Sequence, residues 1–382
     1  MQKFDLNDIA LIPAIISDIK SRKDINIYDE NNMLHLFTAP MFDVIDKQNY
    51  KNYLNNNVYT IIPRKSKYYL IDYSIDSKVF IAYGLEDIKK LFINNKDFYL
   101  EYLKIYKDHK FYILIDIANG HMKYLLDLIK ELKDIYESRI VIMAGNIANP
   151  KTYELYCKYN IDYVRLGVGT GSACLTTSNT AIYYPMGSLL AEINEIKKDY
   201  KFNKKFTTKV IIDGGIKGYS DIIKSYALGA DYIILGSVFN KALESSGLTF
   251  IKSKDKDIKN ILKINDKTEY KNYIKTKEDN YIIDQYSNIA EILFNNNITI
   301  YKEYRGMSTK EIQKELNRKE LRTSEGITKT NKVEYLLNKW LENYKDYLKS
   351  SMSYMGYKNI NDMIGNGKFI NLTENAYLRH NK

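Results

Sequence analysis

The sequence predicts an α/β fold, a TIM-type (β/α)8 barrel with an inserted loop and flap region and a C-terminal closing segment. Three observations predict it. Eight short apolar runs of strand length follow one another within residues 34–236, and amphipathic runs of helix length separate several of them. Polar residues and glycines gather at the downstream ends of the apolar runs. Alternation of strand and helix implies a parallel sheet with crossover helices, and eight strands favour closure over an open sheet.

The elements follow in order. Strands are expected at Leu34–Ala39, Val58–Ile62 and Val79–Tyr83, then a helix at Leu85–Ile93 and a strand at Phe111–Asp116. In the helix Met122–Tyr136, Leu125, Leu128, Ile129, Leu132 and Ile135 recur at the three- and four-residue spacing of one face. Strands at Ile140–Ala144 and Tyr163–Gly167 precede a helix at Gly187–Lys198. A strand at Val210–Asp213, a helix at Ser220–Leu228 and a strand at Tyr232–Gly236 complete the series. Asp116, Gly145, Asn146, Gly167, Asp213, Gly236 and Ser237 all fall at strand C-terminal ends. Chemistry sits on that face in barrels and in doubly wound sheets alike. After Gly247 the pattern decays, residues 252–300 being rich in Lys, Asp, Asn and Tyr, and periodicity returns in a closing helix, Lys332–Tyr347. Residues 1–382 are expected to form one catalytic domain, with 245–330 as an insertion and mobile flap within it.

Composition narrows the class. At 382 residues, with 45% hydrophobic and 27% charged, the chain can bury a large core without disulfides or metals. The two cysteines, Cys157 and Cys174, exclude a framework of bridges and fit a reducing compartment, so a cytoplasmic protein is expected. The start MQKFDLNDIALIPA carries acidic residues where a signal peptide is apolar, and no apolar stretch reaches bilayer length. The net charge of +10 is spread along a chain that also holds 36 Tyr, so it reads as composition bias rather than a nucleic-acid stripe.

Two segments carry chemistry. In Gly167-Val-Gly-Thr-Gly-Ser-Ala-Cys174-Leu-Thr176-Thr177, glycines open the backbone so that its N–H groups can face an anion and favour a thiolate at Cys174. Thr176 is placed to relay a proton. The plainer alternative is a glycine turn followed by a buried thiol. Asp213-Gly214-Gly215 ends one strand and Gly236-Ser237 the next, a pairing suited to a phosphate, with Asp213 suited to a ribose diol. The alternative there is two tight turns with a helix-capping aspartate.

These residues resemble the IMP dehydrogenase and GMP reductase family. The resemblance runs nearly end to end and in order. It includes Phe4-Asp5 with Asp8-Ile-Ala-Leu-Ile-Pro-Ala14, Ser21-Arg22, Ala39-Pro40-Met41, Asp116-Ile-Ala-Asn-Gly120 and Met143-Ala-Gly-Asn146. The cysteine loop, Asp213-Gly-Gly215, Tyr304-Arg-Gly-Met307 and Ser353-Tyr-Met-Gly356 continue it. By matching position, the resemblance implies that Cys174 bonds covalently to purine C2, with Thr176 and Glu325 as a proton-transfer pair. Ser172, Asp213, Gly214, Gly215, Gly236, Ser237, Tyr304, Gly306, Met307, Ser308, Arg322 and Gly326 would hold the nucleotide. Ser21, Arg22, Asp116, Ile117, Ala118, Asn119, Val168 and Gly169 would face the dinucleotide, NADPH or NAD. Carbonyls of Gly169, Gly171 and Cys174 match a family site for a monovalent cation, K+. A homotetramer, a purine nucleoside monophosphate substrate, and no membrane or specific nucleic-acid partner are implied as well.

The Asp116–Gly120 segment, the short stretch from Met307 to Glu325 and the absence of a regulatory (CBS) domain between Tyr83 and Phe111 look like a GMP reductase. Ala39-Pro-Met41, Gly236-Ser237 and the ending Leu372–His380 look more like an IMP dehydrogenase. The reductase is the preferred reading, the dehydrogenase the alternative, and a non-catalytic nucleotide-binding barrel the second alternative. This chain departs from both patterns at Thr170 (usually Pro), Thr177 (commonly Arg), Phe42 (leaving Asp43 one place late) and Pro63-Arg64 (usually His-Lys). Cys157, His35, His109, His380 and Trp340 read as structural, and His121 is a candidate neighbour of the cofactor.

Overall fold

A computed structural model describes residues 3–64, 76–199, 208–252, 274–277, 280–316, 320–321 and 323–380. Eight parallel strands form the centre: β1 (Leu36–Thr38), β2 (Thr60–Ile62), β3 (Val79–Tyr83), β4 (Phe111–Asp116), β5 (Ile140–Ile147), β6 (Tyr163–Leu166), β7 (Lys209–Asp213) and β8 (Tyr232–Leu235). Each pairs in parallel with its neighbour from β2 round to β8, and β8 pairs with β1. A parallel bridge between Phe37 and Tyr59 closes the ring: Tyr59 N–H donates to Leu36 O and Thr38 N–H to Tyr59 O, each at 3.0 Å. The expected barrel is what the chain forms.

Helices α1 (Tyr50–Asn55), α2 (Lys96–Ile105), α3 (Lys123–Tyr136), α4 (Pro150–Lys158), α5 (Met186–Lys198) and α6 (Tyr219–Leu228) follow individual strands. In α3, Leu125, Leu128, Ile129 and Leu132 of the predicted stripe are buried, while Ile135 is half-buried and Tyr136 beside it is buried in its stead. The helix α4 starts on Pro150 at its first turn, with the Asn149 side chain accepting from Lys151 N–H, a cap that satisfies an otherwise orphaned donor.

The barrel is filled by its own side chains. Phe37, Tyr59, Phe80 and Tyr232 pack inside with Ile61, Leu114, Met143, Ile211 and Ile234. Phe37 stacks on Tyr59 at 4.7 Å and meets Phe80 edge-on at 5.6 Å. Truncating such a central aromatic to alanine costs roughly 3–5 kcal/mol. At the N-terminal floor, Asp29 accepts from Tyr59 OH (2.5 Å) and Tyr232 OH (3.1 Å), so the tyrosines that fill the core also satisfy their hydroxyls there.

The segment after Gly247, where the sequence pattern decays, is nonetheless built of regular elements among its described residues. Strands β9 (Thr249–Lys252), β10 (Ile274–Lys277), β11 (Asn280–Ile283), β12 (Tyr301–Arg305) and β13 (Thr328–Lys332) form a second, antiparallel sheet in the order β10–β11–β9–β12–β13. Helix α7 (Asn288–Asn295) packs on it, and Leu243, Ile251, Ile283, Ile289, Leu293, Ile300 and Val333 make a separate small core. The closing helix α8 spans Leu337–Met355 rather than Lys332–Tyr347, because Lys332 ends β13 and Leu336 caps the helix. It stops at Gly356, whose φ of +79° suits the left-handed terminal turn.

Candidate active site

The site is built at the C-terminal mouth of the barrel. After β6 the chain enters the cysteine loop, which four hydrogen bonds pin from several sides. Asn146 Nδ2 donates to Gly167 O (2.8 Å), Thr170 Oγ1 to Asp213 O (3.0 Å), Thr177 Oγ1 to Val168 O (3.4 Å) and Cys174 N–H to Gly171 O (2.9 Å). The two threonines that depart from the family pattern thus act as hydroxyl staples across the loop. Gly169 has φ +69°, and a Cβ there would lie 1.9 Å from Thr177 Oγ1, so only glycine fits.

The chain just before β13 returns to this loop from the second sheet. Leu175 N–H donates to Glu325 O (2.6 Å) and Ile327 N–H to Ala173 O (3.1 Å), an antiparallel bridge that places Cys174 opposite Gly326. Gly306 at the end of β12 donates to Ile327 O (3.1 Å), and a Cβ on it would come within 2.5 Å of Ala173 O. These backbone contacts put three side chains in line: Cys174 Sγ lies 3.2 Å from Thr176 Oγ1, which donates to Glu325 Oε2 at 2.5 Å. Cys174 is half-buried on the loop, while Cys157 is buried behind the wall. The expected trio comes together.

Beside it, Tyr304 is buried with its hydroxyl donating to Met41 Sδ (3.2 Å) and lying over Gly236, while Ser172 reaches it from the cysteine loop. Burial pushes the Tyr304 phenol well above its usual range, so it is a neutral donor. Gly214 and Gly215 have φ of +90° and +81° and pass against Thr170 and Gly171. Ser237 opens a short turn after Gly236, and Ser308 and Thr309 touch Gly326. Asp43 is 2% exposed and takes Arg305 N–H (2.7 Å) and its Nη2 (2.6 Å), which docks the second sheet against the loop after β1.

Charge is organised across the mouth. Arg165 on β6 is 5% exposed; its Nη1 donates to Asp116 Oδ1 (2.8 Å), and its Nε (3.2 Å) and Nη2 donate to Asp213 Oδ2. Asn146 Nδ2 adds a bond to Asp213 Oδ2 (2.9 Å), and Arg64 Nε lies 2.9 Å from Asp116 Oδ2. Burial pushes the Asp116 carboxyl up, but Arg64 and Arg165 outweigh it and hold it below the usual carboxylate value. Ile117 is half-buried, and Ala118 and Asn119 are exposed at the rim.

Some expectations fall elsewhere. Ser21 and Arg22 lie in a single turn beside α8, and among the described residues no hydrogen bond or ion pair joins them to the mouth. Arg322 lies outside the described residues. His121 is committed to structure: its Nε2 accepts from Ala148 N–H (3.1 Å) and its Nδ1 meets Thr152 Oγ1 (3.0 Å). Arg165, Asn146 and Arg64 were not among the expected site residues. A lone arginine inside the otherwise apolar strand Tyr163–Leu166 was the readable signal, since a buried charge demands partners. Among the described residues no group of His, Cys, Asp or Glu could hold a metal ion, and no helix is long and apolar enough to cross a membrane.

The sequence is similar to known proteins. A sequence model of the IMP dehydrogenase / GMP reductase domain matches residues 97–291 and 287–381. The GMP reductase of Oceanobacillus iheyensis is 30% identical over 254 residues, covering 64% of this chain and 73% of that protein. The GMP reductase of Lactobacillus gasseri is 31% identical over 256 residues, 65% and 73% of the two chains. The inosine-5'-monophosphate dehydrogenase of Chlorobaculum parvum is 34% identical over 139 residues, 36% of this chain and 27% of that one. An eight-stranded barrel, a cysteine loop at its mouth and a match over most of the sequence lead to one conclusion: the chain belongs to the IMP dehydrogenase / GMP reductase family.

Proposed function

We propose that the protein is a GMP reductase, an oxidoreductase that converts GMP to IMP with release of ammonia. The observation that carries this is the line of Cys174 Sγ, Thr176 Oγ1 and Glu325 Oε2. The similarity over most of the chain to proteins named GMP reductase supports it.

In this reading Cys174 Sγ attacks purine C2 and the bond from C2 to the exocyclic nitrogen breaks, leaving a thioimidate. Thr176 and Glu325 deliver the proton with which that nitrogen departs as ammonia; splitting substitution from reduction turns one hard step into two. When bound, a reduced nicotinamide dinucleotide supplies the hydride that C2 then receives, and the sulfur leaves as thiolate. Asp213 offers its carboxylate to the ribose, and the turns Gly214-Gly215 and Gly236-Ser237 offer N–H groups to the phosphate, with Ser172, Tyr304, Gly306, Met307, Ser308 and Gly326 closing over the nucleotide. Arg322 joins that group by position in the sequence.

The rim segment Ile117–Asn119 fits a dinucleotide, since its half-buried and exposed peptide groups lie beside the end of β5, where Ile117 N–H donates to Gly145 O and Asn146 N–H to Ile117 O. NADPH is the proposed donor. For a cation the fit is poorer: of the loop carbonyls Gly169, Gly171 and Cys174, that of Gly171 already accepts Cys174 N–H. One catalytic unit with residues 245–330 as insertion and flap, a homotetramer and a cytoplasmic location complete the proposal. The test is a paired assay of nicotinamide absorbance. Oxidation of NADPH with GMP supports the reductase; reduction of NAD with IMP alone would make the chain a dehydrogenase.

A further inference from the structure

The turn after β8 is tied to the second sheet by one buried amide. Asn240 ends the short turn Ser237–Asn240 and is 0% exposed. Its N–H donates to Gly236 O (2.9 Å), and its own carbonyl accepts from Ser245 Oγ (2.9 Å). The side chain reaches out of the turn. Nδ2 donates to Asp43 O (2.8 Å), in the loop after β1, and to Glu303 O (3.0 Å), on β12. Oδ1 accepts from Asn331 Nδ2 (2.7 Å), on β13. Both amide hydrogens and the amide oxygen are used, on three separate segments of chain. Neighbouring bonds repeat the connection: Tyr335 OH donates to Val238 O (2.6 Å), Glu334 N–H to Lys241 O (3.0 Å) and Leu243 N–H to Tyr335 O (3.0 Å). The same two strands also lead to the cysteine. Tyr304 follows Glu303 on β12, and Gly306 N–H just beyond it donates to Ile327 O. Before β13, Ile327 N–H donates to Ala173 O and Glu325 O accepts from Leu175 N–H, which brings Glu325 to Thr176.

We infer that Asn240 is a positioning residue that transmits occupation of the Gly236–Ser237 turn to the segment carrying Glu325, so that the substrate phosphate helps to set the proton-transfer pair against Cys174. This deepens the proposed function and rests on that turn as the phosphate site. The phosphate takes no part in the bond changes at C2, and its binding energy speeds the reaction only where it fixes groups that do. Asn240 provides the link because its bonds are buried. A turn that shifts without β12 and β13 leaves an amide and its partners unpaired, which costs more than moving all of them together. The turn and the two strands therefore behave as one body. Holding the turn in place holds Tyr304, Gly306 and, through Ile327, Glu325.

The test combines amide hydrogen exchange with steady-state kinetics on the full chain, for wild type, Asn240→Ala and Asn331→Ala. Inorganic phosphate is the probe for exchange, because it can fill the turn without touching the purine side of the site. In wild type, saturating phosphate should slow exchange across residues 325–329 by about tenfold, and in Asn240→Ala by less than about twofold. With GMP and NADPH, Asn240→Ala should lower kcat by about ten- to hundredfold and leave KM for GMP within about threefold. Asn331→Ala removes one bond of the set and should lower kcat by at least about threefold; the double variant should be no worse than Asn240→Ala, as for two residues acting through one link. A role confined to supporting the fold would lower the melting temperature and leave the protection by phosphate as in wild type. If Asn240→Ala does not fold, Asn331→Ala carries the same comparison. The inference is overturned by a wild type whose exchange phosphate does not slow, by an Asn240→Ala protein that keeps the full protection, or by a raised KM for GMP with kcat unchanged. A wild type that neither binds nor turns over GMP instead removes the function on which the inference rests, and that failure is visible before any variant is made.

Discussion

Lys302 is a buried lysine of the second sheet. It lies on β12, two residues before Tyr304, is 0% exposed, and donates from Nζ to Ser245 O, with Glu244, Asp46 and Asp43 the nearest carboxylates. Burial pulls its pKa from 10.5 down to about 7, and those carboxylates offset only part of the pull. The folded pKa is thus below the unfolded one. Between pH 7 and 10.5 the unfolded chain holds a proton that the folded chain has released, so stability rises with pH across that window and is flat below it. At ~1.4 kcal/mol per pH unit the displacement corresponds to ~5 kcal/mol against the folded state at neutral pH. Lys302→Met removes that penalty, keeps the volume and loses one hydrogen bond worth ~1 kcal/mol, for a net gain of about 4 kcal/mol near pH 7. Thermal unfolding followed from pH 6 to 10 should show the variant melting higher at neutral pH, by on the order of 5 °C. The gap should narrow steadily towards pH 10. A variant less stable by the same amount at every pH would refute the reasoning, since Lys302 would then be a charged, satisfied ion-pair partner.

Other substitutions probe the flap and its anchor. Glu325→Gln keeps the shape at Thr176 Oγ1 but cannot take or give the proton, so kcat should fall ~10²–10⁴-fold while GMP binding measured by calorimetry stays near wild type. Gly306→Ala places a Cβ 2.5 Å from Ala173 O, with backbone on both sides; turnover should fall at least tenfold, roughly, with little change in melting temperature, because the clash displaces the flap and leaves the barrel intact. Asp43→Ala removes the partner of Arg305 Nε, Nη2 and backbone N–H, leaving Glu315 and Glu303 on the guanidinium, and should cost about 3 kcal/mol in denaturant unfolding.

Much of the barrel was legible because strands buried on both faces read as unbroken apolar runs, and their polar ends mark the mouth. Strand β5 runs three residues past its expected end, to Ile147, since Gly145 and Asn146 look like a turn but Gly145 pairs with Arg165 and Ile147 with Leu166, Asn146 lying at the irregularity between them. The second sheet was illegible for a related reason. Strand β13 reads Thr-Lys-Thr-Asn-Lys, with four of its five residues exposed, and β12 buries Lys302 where an apolar residue would signal a core. Neither offers the period-two alternation by which strands are found. Helix α2, Lys96–Ile105, was missed because only Tyr99 and Leu103 of its residues are fully buried, too narrow a stripe to stand out. At the site, Cys174 and Thr176 were readable from local spacing, but Glu325 reaches them across 149 residues and was found by resemblance alone. Arg165 hid inside a strand, and only coordinates show that it ties Asp116 to Asp213.

The central claim is that Cys174 performs covalent chemistry on a bound purine. It is tested most directly by NADPH oxidation with GMP as the only nucleotide, in wild type and Cys174→Ala, with GMP binding measured on both. The account predicts that the wild type consumes NADPH and releases IMP and ammonia in equal amounts, and that the variant binds GMP within a few-fold yet turns nothing over. A Cys174→Ala protein that still produces IMP would contradict it.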